Sequence, residues 1–180
     1  MAPMISRHIE PRVFEALSDT RVVVIQGARQ VGKSTLLNAV VRQAGGRTVT
    51  LDDQPTRSAA QTDPVGFLEQ GGDGVLGVDE IQRVPALVLA LKLIVDRDPR
   101  PGRFLVTGSA NLLRVPAAED SLAGRAESLE LHSFSQGERD GHLERFIDRL
   151  FAGDRFLDHR STLRRHDYLC LLYTSDAADE

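Results

Sequence analysis

Short apolar runs alternate with stretches of helical spacing along most of the 180-residue chain. Apolar positions between the runs recur every three or four residues, which is the spacing of one helix face. Strands that alternate with helices predict the α/β class, with a mostly parallel central sheet. The predicted strands are residues 22–25, 47–51, 75–78, 103–106 and 128–131.

Two prolines bear on where helices begin. Pro11 interrupts the apolar spacing of residues 5–17, so we expect a short helical lead-in there, packed beside the first strand. Asp63 followed by Pro64 is typical of a helix start, with Asp as the capping residue and Pro at the first helical position. Further helices are predicted at residues 34–41 and 84–95.

The first apolar run leads directly into a glycine-containing loop. Residues 27–34, GARQVGKS, match the pattern G-x-x-x-x-G-K-[ST] at every fixed position. In such a loop backbone N–H groups point at phosphate oxygens, the lysine reaches the β and γ oxygens, and the hydroxyl binds a bridging Mg²⁺. We therefore predict a nucleotide-phosphate site. Its residues are Gly27, Ala28, Arg29, Gln30, Val31, Gly32, Lys33, Ser34 and Thr35.

Two acidic residues, Asp79 and Glu80, end the third apolar run. Asp79 is placed to hold the Mg²⁺ together with Ser34, and Glu80 is placed to polarise the water that attacks the γ-phosphate. The alternative is a solvated strand end. Together with the loop, the pair predicts Mg²⁺-dependent hydrolysis of a nucleoside triphosphate, with Lys33 and Glu80 as catalytic residues.

Small polar residues follow the fourth run, where the sheet is expected to face the γ-phosphate. Thr107, Ser109 and Asn111 are candidates for sensing that phosphate and positioning the attacking water. Ser and Asn also favour helix starts, so a turn with a cap is the alternative interpretation.

Three charged positions keep two interpretations each. Arg125 is the best candidate for a cation acting on phosphate, in trans as an arginine finger or in cis as a sensor, but a surface salt bridge explains it equally well. Asp52 and Asp53 end the second strand, so they either face the nucleotide or cap the following helix.

Composition excludes little. The chain has 22 basic and 26 acidic residues, a net charge of −4, so no global field recruits nucleic acid or an acidic membrane. The first 18 residues lack the apolar core of an export signal, and no apolar run is long enough to span a bilayer. We expect a cytoplasmic protein with no membrane partner.

The chain beyond residue 134 has a different character. A polar break at 135–141 precedes an amphipathic pattern at 143–151, which predicts a helix that begins a second domain. A basic group follows, either a solvated helix face or a contact for DNA phosphates. Its members are Arg160, Arg164, Arg165 and His166.

The last eleven residues, CLLYTSDAADE, resemble one reading frame of a sequencing-library adapter. Such a scar is left out of fold reasoning. We expect three segments: an ATPase domain at 1–138, a linker with the truncated start of a C-terminal domain at 139–169, and an artificial tail at 170–180.

Several stretches together resemble the prokaryotic AAA-type ATPases in which a P-loop domain precedes a C-terminal domain of unknown function. They are VIQGARQVGKSTLL, TLDD, DP with FL, VDEIQRVP, FLVTGSANLL and SLAGRAESLEL, and they cover most of residues 5–138. The resemblance implies a P-loop NTPase three-layer sandwich followed by a fragment of a helical second domain.

The resemblance also implies roles for individual residues. Lys33 and Ser34 belong to the Walker A loop and bind phosphates and Mg²⁺, and Asp79 with Glu80 forms the Walker B pair. The remaining catalytic candidates are Ser109 or Asn111 at the sensor-1 position, and Arg125.

Three functions remain open at this point. The first is an ATPase whose turnover switches a C-terminal effector domain, a partner subunit or a second copy of the chain. The second is a phosphotransferase on a small molecule, although the adjacent acid pair favours water activation. The third is a nucleotide-gated module for DNA or protein with negligible turnover. A GTPase is disfavoured, because the chain contains no N-K-x-D motif.

Overall fold

The computed structural model describes residues 5–109, 122–143 and 145–153. The chain divides into two compact units. One is Ile9–Ser133, and the other joins Met1–His8 to Phe134–Glu180. None of the described helices is long and apolar enough to cross a membrane.

A five-stranded sheet forms the centre of the first unit. Every strand pairing in it is parallel, in the order β2-β3-β4-β1-β5, which confirms the predicted sheet. The inner strands are apolar and buried, as expected for a parallel sheet covered on both faces. The strands are β1 Val22–Gly27, β2 Arg47–Thr50, β3 Leu76–Asp79, β4 Phe104–Ser109 and β5 Ala126–Glu130.

Helices cover both faces of this sheet. They are α1 Glu10–Asp19, α2 Lys33–Gln43, α3 Gln54–Thr62, α4 Pro64–Glu69 and α5 Ala86–Arg97, with a 3-10 turn at Ile81–Arg83. Side chains of β1 alternate between two cores: Val22 and Val24 pack with α3, α4 and α5, and Val23 and Ile25 pack with α1 and α2. The result is the three-layer sandwich.

The two prolines both lie in first helical turns. Asp63 caps α4 as predicted, because its Oδ1 accepts a hydrogen bond from Gly66 N (2.9 Å). The short helical lead-in packed beside the first strand is confirmed as α1. It begins at Glu10, and Pro11 lies in its first turn, where the backbone N–H that proline lacks has no helical partner.

The second unit contains two short helices among the described residues, α6 Gln136–Asp140 and α7 Phe146–Phe151. The polar break at 135–141 is therefore itself helical. Ser135 and Glu138 form a reciprocal capping box, and Gly141 ends α6 with φ 70°, so polar residues here mark both ends of a helix. The amphipathic pattern at 143–151 yields the helix α7.

Candidate nucleotide-phosphate site

The loop after β1 depends on two glycines. Gly27 has φ 156°, and a Cβ built on it would lie 2.3 Å from the backbone oxygen of Leu131. Leu131 continues beyond β5 and donates its N–H to Gln26 O (2.7 Å). The side chain excluded at Gly27 thus meets the neighbouring backbone, a constraint that the motif did not reveal. Gly32 has φ 95° immediately before α2, a conformation that side chains rarely adopt.

The N-terminus of α2 faces this loop without a capping side chain. Gly32 is its N-cap and makes no side-chain hydrogen bond, so the first-turn N–H groups have no side-chain partner at the cap. Lys33, only 7% exposed, donates from Nζ to Gly27 O (3.2 Å) and Ala28 O (2.8 Å). The ammonium is held inside the loop. Such a helix end attracts anions through its dipole and N–H groups.

The other residues predicted for the loop divide by exposure. Val31 is buried and packs into the core shared by α1 and α2, so it anchors the loop rather than contacting a ligand. The exposed members are Ala28, Arg29, Gln30 and Thr35. Gln30 adopts φ 65°, a left-handed conformation uncommon for a residue with a side chain.

Asp79 receives two hydroxyl groups from neighbouring elements. Its Oδ1 accepts hydrogen bonds from Ser34 Oγ (3.0 Å) and Thr107 Oγ1 (2.6 Å), and the residue is 7% exposed. Ser34 comes from α2, Asp79 from the end of β3 and Thr107 from β4. Because β4 lies between β1 and β3, the parallel order brings the loop and the acidic residue to one edge of the sheet.

Glu80 adopts a strained backbone conformation beside this network. Its φ of 59° and ψ of 45° lie in the left-handed region, which costs a residue with a side chain about 1–3 kcal/mol. Its N–H donates to Thr107 Oγ1 (2.9 Å), and its carboxylate accepts a hydrogen bond from Gln82 Nε2. Backbone and carboxylate are therefore both held.

The candidates after β4 have separate positions. Thr107 is fully buried and bridges Asp79 to Glu80 N, so its hydroxyl organises the acid pair. The sequence signal for this role was a hydroxyl residue directly after the apolar run of residues 104–106. Ser109 pairs in register with Gly27, which places its backbone beside the phosphate loop. Asn111 lies outside the described residues.

Arg125 is not brought to the loop of its own chain. It precedes Ala126, which pairs with Val22 at the start of β1, roughly 16 Å from Gly27 at about 3.3 Å per residue. Its guanidinium donates to both carboxylate oxygens of Asp96, from Nε at 2.6 Å and Nη2 at 2.9 Å. The Arg125 hydrogen bond lowers the pKa of Asp96. An action in trans stays a prediction.

The two acids after β2 contact other residues. Asp53 caps α3, accepting from Thr56 N (2.9 Å), and the side-chain and backbone hydrogen bonds of Thr56 lower the pKa of Asp53. Asp52 forms an ion pair with Arg83 Nε (2.5 Å), on the turn that follows Glu80. Asp53 therefore takes the capping role of the two interpretations.

An all-parallel sheet whose first strand leads through a glycine loop into an uncapped helix defines a P-loop nucleotide-binding protein. A family model described as an AAA domain matches residues 19–139. The chain belongs to this family, and the AAA-type P-loop assignment is confirmed.

Two uncharacterized mycobacterial proteins, from Mycobacterium bovis and Mycobacterium tuberculosis, are each 39% identical over 125 residues. The match covers 69% of this chain and 28% of each relative, so the chain spans less than a third of their length.

Two solved structures share the fold. A DNA replication initiation factor superposes with a TM-score of 0.56 at 16% identity, over 95% of this chain and 56% of its own. AMPPCP-bound DnaA from Aquifex aeolicus gives a TM-score of 0.55 at 16% identity, over 92% and 57%.

Proposed function

We propose that this chain binds Mg²⁺–ATP and hydrolyses it. The hydrogen bond from Ser34 Oγ to Asp79 Oδ1 (3.0 Å) carries the proposal, because it joins the phosphate loop to the acid pair. The AMPPCP bound to the fold relative DnaA supports an adenine nucleotide as the ligand.

The donor set fits Mg²⁺. Ser34 and Asp79 contribute a hydroxyl and a carboxylate oxygen, the hard ligands that Mg²⁺ takes singly or in pairs beside phosphate oxygens and water. The ion would neutralise charge on the β and γ oxygens. On nucleotide binding, Lys33 Nζ would exchange the carbonyls of Gly27 and Ala28 for phosphate oxygens, a short movement for a side chain already inside the loop.

Glu80 is the proposed general base. Its carboxylate would accept a proton from a water molecule as the water oxygen bonds to the γ-phosphorus and the bond to the ADP oxygen breaks. The bonds from Thr107 and Gln82 restrict Glu80 at both ends, which suits a group that must meet one water in one orientation. This favours hydrolysis over transfer to a small-molecule acceptor.

We further propose that turnover drives a conformational switch in an effector region or a partner. The curated relatives extend well beyond the matched segment, which leaves room for such a region in proteins of this kind. A second copy of the chain or DNA as partner, and a cytoplasmic location, remain predictions.

The test is phosphate release from ATP and GTP with and without Mg²⁺, alongside nucleotide-binding titrations. We expect Lys33→Ala to lose binding and turnover, and Glu80→Gln to lose turnover but keep binding. Lys92→Ala and Glu69→Gln, which change the same residue types away from the loop, serve as matched controls. Binding without turnover in the parent would favour the nucleotide-gated module, and absence of binding would overturn the proposal.

A further inference from the structure

Gln82 lies two residues beyond the proposed base, within the stretch VDEIQRVP, and the motifs described above give it no role. We infer that Gln82 is a positioning residue, which holds the Glu80 carboxylate in the orientation needed to accept the proton of the attacking water. The inference rests on the proposed ATP hydrolysis.

The turn that carries Gln82 is anchored at each end. Arg83 N donates to Glu80 O (3.0 Å) and Val84 N donates to Ile81 O (3.1 Å), while the Ile81 side chain is fully buried. Arg83 is also paired with Asp52. The backbone of Gln82 is therefore fixed relative to that of Glu80, so its amide reaches the carboxylate from a defined direction.

The carboxylate determines which way the Gln82 amide faces. An ionised carboxylate only accepts hydrogen bonds, so the group that contacts Glu80 Oε2 is the amide nitrogen of Gln82. The amide oxygen Oε1 is then buried, and within residues 5–109, 122–143 and 145–153 it has no hydrogen-bond partner. A buried acceptor without a donor is unfavourable. The fold keeps the hydrogen bond to Glu80 although the buried Gln82 Oε1 is unfavourable. An unfavourable feature that persists at a candidate catalytic site points to a functional role.

Glu80 needs such a partner because its own side chain is long and half-exposed. Thr107 restrains only its backbone N–H. With the Thr107 hydrogen bond alone, the Glu80 side chain could still change its rotamer. In most rotamers its carboxylate would not reach the attacking water. A hydrogen bond to Oε2 leaves the other carboxylate oxygen of Glu80 to accept the proton. It also reduces the number of rotamers that Glu80 adopts, which raises the fraction of molecules whose carboxylate faces the attacking water.

The experiment compares Gln82→Met with the parent in the full chain. Methionine matches the length of glutamine and lacks the donor, so we expect kcat for ATP hydrolysis to fall about 10-fold, the effect of losing one hydrogen bond to a charged group. KM and the affinity for ATP are expected to stay unchanged. Gln82→Glu is expected to lose more, because a second carboxylate repels the first. Gln61→Met, on the exposed face of α3, is the matched control.

A double-mutant cycle separates positioning from a general structural role. In a Glu80→Gln background, measured by single turnover with excess protein, Gln82→Met is expected to change the rate less than twofold, because the group that it positions is gone. An equal loss in both backgrounds, or no loss in the parent, would overturn the inference while hydrolysis stands. A parent that does not hydrolyse ATP would overturn the proposed function and this inference together.

Discussion

Two carboxylates, Asp79 and Glu138, are equally withdrawn from solvent, each 7% exposed, but their surroundings differ. Asp79 receives only the hydroxyls of Ser34 and Thr107, and no described cation forms an ion pair with it. Glu138 lies in the other compact unit and is paired with the Arg7 guanidinium, whose Nε donates at 3.1 Å.

Glu138 has further donors. The backbone N–H groups of His8 (2.6 Å) and Ser135 (3.0 Å) also reach its carboxylate, and Arg7 stacks on the Phe134 ring at 4.3 Å. A buried charge is costly unless it is paired, so full compensation at Glu138 indicates a structural role. The hydroxyl groups around Asp79 are uncharged, so its charge stays available for the Mg²⁺ of the proposed function. Burial is the same at both carboxylates, and the charge of the surrounding groups is what makes Asp79 the stronger candidate for a functional role.

Asp79→Asn tests this distinction most strongly. The amide keeps the shape of the side chain but removes the charge proposed to hold Mg²⁺, so we expect turnover at fixed Mg²⁺ to fall about 100-fold or more, at least the loss seen for groups that only support metal ligands. Folding stability is expected to hold. Mg²⁺ titrations of phosphate release measure the effect, with Asp148→Asn on exposed α7 as the control. An unchanged Mg²⁺ dependence would contradict the assignment.

Glu138→Ala is expected to lower folding stability and to leave ATP turnover unchanged, the opposite of Asp79→Asn. Removing one partner of a buried ion pair takes away the acceptor of the Arg7 guanidinium and of two backbone N–H groups, and costs about 3 kcal/mol of unfolding free energy. Urea denaturation measures this cost, and the exposed Glu69→Ala is the control. ATP turnover per folded molecule is expected to stay at the parent level. A loss of turnover without a loss of stability would contradict the structural role of Glu138.

The same ion pair predicts a dependence on pH. Burial raises the pKa of Glu138, but hydrogen bonds from Ser135 N, His8 N and Arg7 outweigh it and bring that pKa below the ordinary 4.5. Its stabilisation is therefore complete above pH 4.5 and is lost as the pH falls through the lowered pKa. We expect the difference in unfolding free energy between the parent and Glu138→Gln to shrink below pH 4.5, and a constant difference would refute this.

Thr107→Val sharpens the account of Asp79. Valine keeps the volume but leaves Glu80 N without its acceptor and Asp79 with one donor, so we expect about a 10-fold loss of turnover, close to the value of one hydrogen bond to a charged group. Thr107→Ser, which restores the hydroxyl, is expected to recover most of it. Equal rates for valine and serine would show that the hydroxyl is not needed.

Arg125→Ala is expected to have the smallest effect. Within one chain its guanidinium pairs with Asp96 at the far edge of the sheet, so turnover in dilute solution should not change. Phosphate release measured over a range of protein concentrations checks this. A loss that emerges only at concentrations where chains associate would support the arginine finger in trans.

The sequence predicted well what depends on local pattern. Apolar runs placed the inner strands β1, β3 and β4, because a central parallel strand must be apolar on both faces. The edge strands β2 and β5 were predicted from segments in which apolar and polar residues alternate. The glycines and Lys33 of the loop predicted the phosphate site, since a loop that wraps a phosphate needs those residue types in that order. The helix before the first strand was predicted, but spacing alone did not show that it begins at Glu10 with Pro11 in its first turn.

By itself the sequence determined the class of fold, which follows from the alternation of apolar runs with helical spacing. It also determined the loop and the acid pair, each of which consists of residues adjacent in the chain. Only the tertiary structure decided which distant groups meet them. Thr107 reaches Asp79 because β4 lies between β1 and β3, and Gly27 is required because Leu131 passes over it. Strand order and backbone approach depend on packing between segments far apart in the chain, and no local pattern records them.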